Sequence, residues 1–102
     1  IRANVRTVYN RCMATNLKEF EKIMKALANR RRLAILKYLK ADGRATVSDV
    51  AHKIELSFKS TSKHLRILAA AGIIEREQIS LQMWYELSES LPEGVRPILA
   101  LL

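Results

Sequence analysis

Apolar and polar positions alternate along this chain with a helical period for most of its length. Val5, Val8, Tyr9, Cys12 and Met13 fall close to one face of Val5–Ala14, which predicts a weakly amphipathic helix. Leu17, Phe20, Met24 and Leu27 recur at helical spacing, with Lys18, Glu19, Glu21, Lys22 and Lys25 filling the outer side of Leu17–Leu27. Asn29 can cap the next helix, Arg30–Lys40, whose broad apolar face of Leu33, Ile35, Leu36 and Leu39 suits a central position. Asp42-Gly43 ends it. Thr46 and Asp49 form a capping box for Val47–Ile54, which buries Val47, Val50, Ala51 and Ile54. Glu55-Leu56 makes a turn, and Ser57 caps a helix that runs to about Ala71 and stops at Gly72. Ile73–Gln78 and Gln82–Leu87 change register, being rich in β-branched and aromatic residues, and read as strands around a tip at Ile79-Ser80-Leu81. A last short helix falls within Glu93–Leu102, with Pro97 tolerated only in its first turn.

That order predicts a mainly α chain with a small β-hairpin: five to six helices and a two-stranded wing, in a winged helix-turn-helix arrangement. On a helical wheel of Ser57–Ala71, Thr61, Leu65, Leu68 and Ala69 share one side, and Lys59, Ser60, Ser62, Lys63 and Arg66 share the other. A recognition helix needs this division, one face packed on the preceding helix and the other lying in a major groove. Lys can donate to guanine O6 and N7, and Ser can pair with several bases. Lys59, Ser60, Ser62 and Lys63 are therefore candidates for base edges and Arg66 for phosphate. The same residue types also make an ordinary solvated helix face; the capped helix before and the hairpin after favour DNA. Arg44, Thr46 and Ser57, which flank the helix starts, and Arg76 in the wing complete the candidate contacts. The amides opening Val47–Ile54 are a ready phosphate site. Phe58 is expected to pack across its helix start as a local staple rather than to touch a thymine methyl.

Charge supports a polyanionic partner. The 102 residues carry a formal net charge of +8 with a pI near 10.1, which favours nucleic acid over an anionic membrane. The charge is uneven. Residues 1–44 hold 12 Lys/Arg against 3 acids, whereas residues 73–102 hold 2 against 5. An acidic wing fits poorly with a simple DNA clamp. The length indicates one domain over residues 1–102. No apolar run reaches the roughly 20 residues of a bilayer span. The lone Cys12 excludes an intrachain disulfide, and a reducing cytoplasm is the expected compartment. The chain starts without Met and ends on an apolar run, as a fragment of a slightly longer protein would.

Catalysis has little support. No Ser-His-Asp or Cys-His grouping occurs, and three glycines leave no phosphate-binding loop. No cofactor or metal is expected. His52 and His64 lie 12 positions apart without a thiol beside them, too few ligands for zinc. His64, next to Leu65, is expected half-buried or placed to bond a phosphate. Cys12 reads as an interface or core thiol.

Leu27-Ala28-Asn29-Arg30-Arg31-Arg32-Leu33-Ala34-Ile35-Leu36, then Thr46–Ile54, Leu56–Leu68 and the junction Ala70-Ala71-Gly72-Ile73-Ile74 resemble ArsR-type winged-helix transcriptional repressors. The resemblance spans roughly Phe20–Leu87. It implies a symmetric homodimer whose recognition helices enter successive major grooves of a palindromic operator, with the first and last helices forming the dimer interface. Val5, Val8, Tyr9, Cys12, Ile98, Leu99, Leu101 and Leu102 are the residues expected there. Three departures matter. Thr46-Val47-Ser48-Asp49 lacks the thiols by which many members hold metals, and Leu91–Leu102 has no His, Cys or Asp. The cysteine pair of thiol sensors is missing. The wing carries Glu75, Glu77, Ser80 and Leu81 with Arg76 alone, where Arg and Gly are usual. The leading expectation is a metal-free, DNA-binding regulator, with a small-molecule effector as one possible control. The alternatives are a protein-interaction module within a larger assembly and a nonspecific architectural or RNA-binding domain.

Overall fold

Short-range capping sets most element boundaries. The computed structural model describes residues 16–102 and contains, among them, five helices and a three-stranded sheet. The expected helix Val5–Ala14, and with it Val5, Val8, Tyr9 and Cys12, lies outside the described residues. Helix α1 spans Leu17–Leu27, with Asn16 Oδ1 accepting from the Glu19 amide at 2.9 Å. Helix α2 spans Arg30–Asp42, two residues beyond the predicted end. Asn29 caps it by accepting from the Arg31 and Arg32 amides. Strand β1 is Arg44–Thr46 and leads directly into α3, Val47–Ile54. The Thr46–Asp49 capping box is present in both directions at 3.2 Å. Ser57 caps α4, Phe58–Ala70, by accepting from the Ser60 amide.

The end of α4 shows why the chain carries Gly at position 72. The Ile73 amide donates to the Leu68 carbonyl and the Gly72 amide to the Ala69 carbonyl, the paired closure of a Schellman motif. Gly72 takes φ +77°, as that motif demands. The turn throws Ile73 and Ile74 back into the core and starts β2, Ile74–Ile79.

The sheet corrects the sequence reading in two ways. Its order is β1-β3-β2, all antiparallel, with β3 at Gln82–Leu87. The wing is thus a hairpin plus a third strand that was not predicted. Arg44-Ala45-Thr46 is too short for a period, and becomes a strand only because β3 offers it partners at Glu86, Tyr85 and Trp84. The hairpin also shifts by one residue. Ile79 pairs with Gln82, leaving the two-residue turn Ser80-Leu81. Ser80 takes φ +58° where hairpins more often place Gly or Asn.

Helix α2 is central as expected. Ile35, Leu36 and Leu39 meet Leu65 and Leu68 of α4, Val50 of α3, Ala45 and Tyr85 of the sheet, and Val95 and Leu99 of the last helix, α5, at Val95–Ala100. Pro97 is the third residue of α5 and so lies in its first turn. Lys40 Nζ donates to the Leu99 carbonyl at 3.1 Å, tying the C-terminal end of α5 to α2. Among the described residues no helix is long and apolar enough to cross a membrane.

Helix α1 uses only part of the face that its periodicity suggests, burying Leu27 and half-burying Phe20. Ile23, Ala26 and Leu27 enter the core, while Leu17 is 77% exposed and Met24 also faces solvent. With Ile23 and the small Ala26 buried beside Leu27, the contact face is rotated away from Leu17 and Met24.

Thr61 yields a stability prediction. Its side chain is fully buried in α4, and among the described residues its hydroxyl has no hydrogen-bond partner. Replacing an unsatisfied buried hydroxyl by a methyl group removes its desolvation cost, so Thr61→Val is expected to raise unfolding free energy by about 1 kcal/mol. A urea midpoint that stays put or falls would contradict this.

Candidate nucleic-acid interface

The turn between α3 and α4 is built from backbone geometry. Glu55 adopts the left-handed conformation at φ +55°, and the Leu56 amide returns to the Ala51 carbonyl at 3.0 Å. The chain then reverses into the Ser57 cap. Thr61, Leu65 and Leu68 lock α4 onto the core. Their burial leaves Lys59, Ser60, Lys63 and Arg66 exposed and Ser62 half-buried. Lys59, Ser62, Lys63 and Arg66 stand at i, i+3, i+4 and i+7, one stripe along the outer side. The helix therefore divides as its sequence predicts. Phe58 does not form the expected staple. At the first helical position it is 59% exposed, since the core beneath is already filled by Thr61 and Leu65.

A buttress behind α4 was not legible in the sequence. Arg32 Nε donates to the Ala26 carbonyl at 2.7 Å and its Nη2 to the Lys25 carbonyl at 3.0 Å. The other two terminal carbonyls of α1, those of Met24 and Leu27, accept from the Ala28 and Asn29 amides. All four carbonyls that a helix end leaves unpaired are thus satisfied. Arg32 Nη1 also lies 3.1 Å from His64 Nδ1 on α4. A guanidinium only donates, so Nδ1 accepts and the imidazole carries its proton on Nε2. Burial first, then the charges of Arg32, Arg31 and Lys63, hold the His64 pKa below the ordinary 6.5. His64 is half-buried and bonded to Arg32, the first of its two expected settings.

This gives a pH dependence of definite sign. A depressed folded-state pKa means that the unfolded chain takes up the proton first as pH falls. Stability is therefore full above about 6.5 and declines as pH drops below it toward the folded value. Urea midpoints of the wild type and His64→Gln, compared from about pH 8 to about pH 5, test this. The wild type is expected to lose more stability than the variant, and parallel curves would refute the assignment.

The wing has an organised outer face. Arg44 stands over the Trp84 ring, its guanidinium carbon 5.4 Å from the centroid, and pairs with Glu77 at 3.5 Å. Both partners share a sheet face with Glu75 and Glu86, which sit directly opposite each other across the β2–β3 ladder. Ser88 Oγ donates to Glu75 Oε1 at 2.9 Å. Arg44 is thus engaged within the wing, and Arg76 is exposed on β2 opposite Tyr85. Leu81 at the tip is 95% exposed. Thr46 is buried in its capping box, so its hydroxyl serves α3. Ser57 likewise serves α4. His52 is exposed on α3, and among the described residues no three His, Cys, Asp or Glu side chains converge as metal ligands would.

The helix-turn-helix core, residues 29–75, matches a family model described as winged helix-turn-helix DNA-binding. The chain is 32% identical over 79 residues to the arsenical resistance operon repressor of Bacillus subtilis, covering 78% of this chain and 75% of that protein. The chain belongs to the ArsR family of transcriptional regulators. A second ArsR-type relative, the transcriptional activator HlyU of Vibrio cholerae, is 34% identical over 82 residues, covering 74% of this chain and 75% of its own. In three dimensions the fold is similar to a homodimeric winged helix-turn-helix DNA-binding domain from Mycobacterium bovis, a possible ArsR-family regulator. The TM-score is 0.71 at 30% identity, covering 83% of this chain and 75% of that one. As an ArsR-family regulator the chain is a DNA-binding transcription factor and not an enzyme. Among the expected interface residues, Leu101 is 86% exposed and Ile98 and Leu102 are half-buried, but Leu99 is spent in the protomer's own core.

Proposed function

We propose that this ArsR-family regulator represses transcription by binding a palindromic operator as a homodimer, without a metal site. The outer stripe of exposed Lys59, Lys63 and Arg66 with the half-buried Ser62, on a helix anchored by three fully buried side chains, carries the reading. Ser60 beside the stripe joins it at base edges. The α3 amides opened by Thr46, the Ser57 end of α4, Arg44 and Arg76 complete the DNA surface. A dimer seated on an operator excludes polymerase by occupancy alone, which makes repression the simplest outcome. The two relatives named above divide between repressor and activator. The absence of thiols at Thr46–Asp49 and of His, Cys or Asp in Leu91–Leu102 supports a metal-free mode. Acting on DNA, the protein would work in the cytoplasm.

Selection of bound duplexes from a random pool tests this directly. Enrichment of a two-fold symmetric site, with half-sites about one helical turn apart, is expected. Enrichment of no motif would sink the reading. The dimer proposal rests on Leu101, Ile98 and Leu102, apolar surface that a monomer would leave in water. Leu101→Glu is expected to weaken dimerisation by about tenfold or more, since each 1.4 kcal/mol is a factor of ten. Sedimentation equilibrium would show it, and an unchanged dimer would remove Leu101 from the interface.

A further inference from the structure

Helix α2 turns toward solvent a row of residues that the core does not use. Ala34 and Ala41 are exposed seven positions apart, with the half-buried Tyr38 between them. Two small residues flanking a large one leave a hollow on the helix surface. With Ile54 at the end of α3 they floor a concavity of about 570 Å³, inside the range that small organic ligands occupy. Its rim is basic: Arg30, Arg31, Lys37 and Lys53 face a single acid, Asp42. All four cations are exposed, and among the described residues none of them makes a salt bridge.

The rim charge is also graded along the groove. At 1.5 Å rise per residue, Arg30 and Asp42 stand about 18 Å apart along α2. An anion is drawn to the Arg30–Arg31 end and repelled from the Asp42 end. Burial, then the carboxylates of Asp42 and Asp49, push the Tyr38 phenol above its ordinary pKa, so it remains a neutral hydroxyl at the far end. A bare phosphate backbone would use the cations and leave the apolar floor in water. A molecule with an apolar body and one charged head uses both.

We propose that the groove between α2 and α3 binds an amphiphilic organic anion. Its aromatic or aliphatic body lies on Ala34, Tyr38, Ala41 and Ile54, and its single carboxylate or sulfonate is held by Arg30 and Arg31. No residue of α4 lines the groove. The ligand bridges α2 to α3, the helix from which α4 continues through the three residues Glu55, Leu56 and Ser57, so occupancy biases the pose of the DNA-facing helix. That regulatory consequence rests on the proposed function; binding itself does not.

The test uses the full chain with 8-anilinonaphthalene-1-sulfonate as ligand, followed by fluorescence and calorimetry. One ligand per chain is expected. The uncharged N-phenyl-1-naphthylamine should bind about tenfold more weakly or worse, a difference of one charge recognition. Arg30→Glu/Arg31→Glu should weaken the sulfonate about tenfold, and Ala34→Trp should fill the floor and abolish binding while leaving affinity for random duplex within about twofold. Equal binding of the uncharged compound, or indifference to the charge reversals, overturns the proposal. So does an Ala34→Trp variant that loses random-duplex affinity as fully as Lys59→Ala, because the face would then be a DNA contact. If the chain binds no duplex at all, the proposed function fails, while the ligand titrations still decide the groove.

Discussion

Arg32→Ala is expected to destabilise the domain by about 3 kcal/mol, the upper part of the usual range for a single substitution. The side chain makes three charge-assisted bonds, to the Ala26 and Lys25 carbonyls and to His64 Nδ1. Hydrogen bonds to charged groups contribute about 1.5–3 kcal/mol each. Arg32 is only half-buried, so water replaces part of what is lost and the three do not sum. What remains is the cost of two helix-end carbonyls and one imidazole nitrogen left short of a donor. For a domain of this size about 3 kcal/mol lowers the melting temperature by roughly 12–24 °C. Arg32→Lys keeps the charge but cannot present a planar fork to three acceptors, and is expected to recover less than half. A double-mutant cycle with His64→Ala should show coupling of about 1 kcal/mol, since the two residues share a bond. Urea denaturation of the four proteins measures all of this. A loss below about 1 kcal/mol for Arg32→Ala would mean that the clamp is ornamental, comparable to an exposed ion pair.

That clamp marks the boundary of what the sequence discloses. Helix starts were legible because caps act over three residues: Asn29, Thr46 with Asp49, and Ser57 each bond first-turn amides of the helix they were expected to cap. The division of α4 was legible for the same kind of reason, since a helical period places Thr61, Leu65 and Leu68 together whatever surrounds them. The role of Arg32 depends on carbonyls six and seven residues upstream and on a ring 32 positions away. Carbonyls carry no residue-type signature, and in the sequence Arg32 is one of three consecutive arginines. Strand β1 was invisible because its three residues owe their conformation to β3, some forty positions on. The exposed side of α1 was legible only in part, since Leu27 and Phe20 turn inward but Leu17 and Met24 do not. Leu17 and Met24 are larger than Ala26, yet Ala26 is the residue that is buried. Trp84 gave no warning of its use either: it is the platform under Arg44, which ties the most upstream strand to the wing.

Lys59→Ala/Lys63→Ala is expected to lower operator affinity by about a hundredfold at fixed salt, on the basis that each good contact of this kind contributes about 1–3 kcal/mol. Both side chains are exposed on the outer stripe of α4 and neither enters a salt bridge among the described residues, so the folded state loses nothing with them. Thermal melting should be unchanged, which separates this variant from Arg32→Ala. The two lysines can act differently, and salt dependence distinguishes them. Each phosphate neutralised contributes about −0.9 to the slope of log affinity against log salt. A lysine on phosphate, once removed, flattens the slope by about one unit and weakens operator and random duplex alike. A lysine on guanine O6 and N7 leaves the slope nearly intact and costs operator binding far more than random duplex. Lys63, in the second turn of α4 and adjacent to the core-facing His64, is expected to behave as the base reader. Lys59, at the helix start where the amides already attract phosphate, is expected to flatten the slope. Titrating both single variants against the selected operator and a scrambled duplex, at several salt concentrations, measures each term. The acidic wing sharpens the expectation: with Glu75, Glu77 and Glu86 on the sheet's outer face and Arg44 already paired to Glu77, the hairpin adds little attraction, so α4 must supply most of it. If the double variant still binds its operator within about threefold of the wild type, α4 is not the reading helix and the basic surface upstream of Gly43 takes its place.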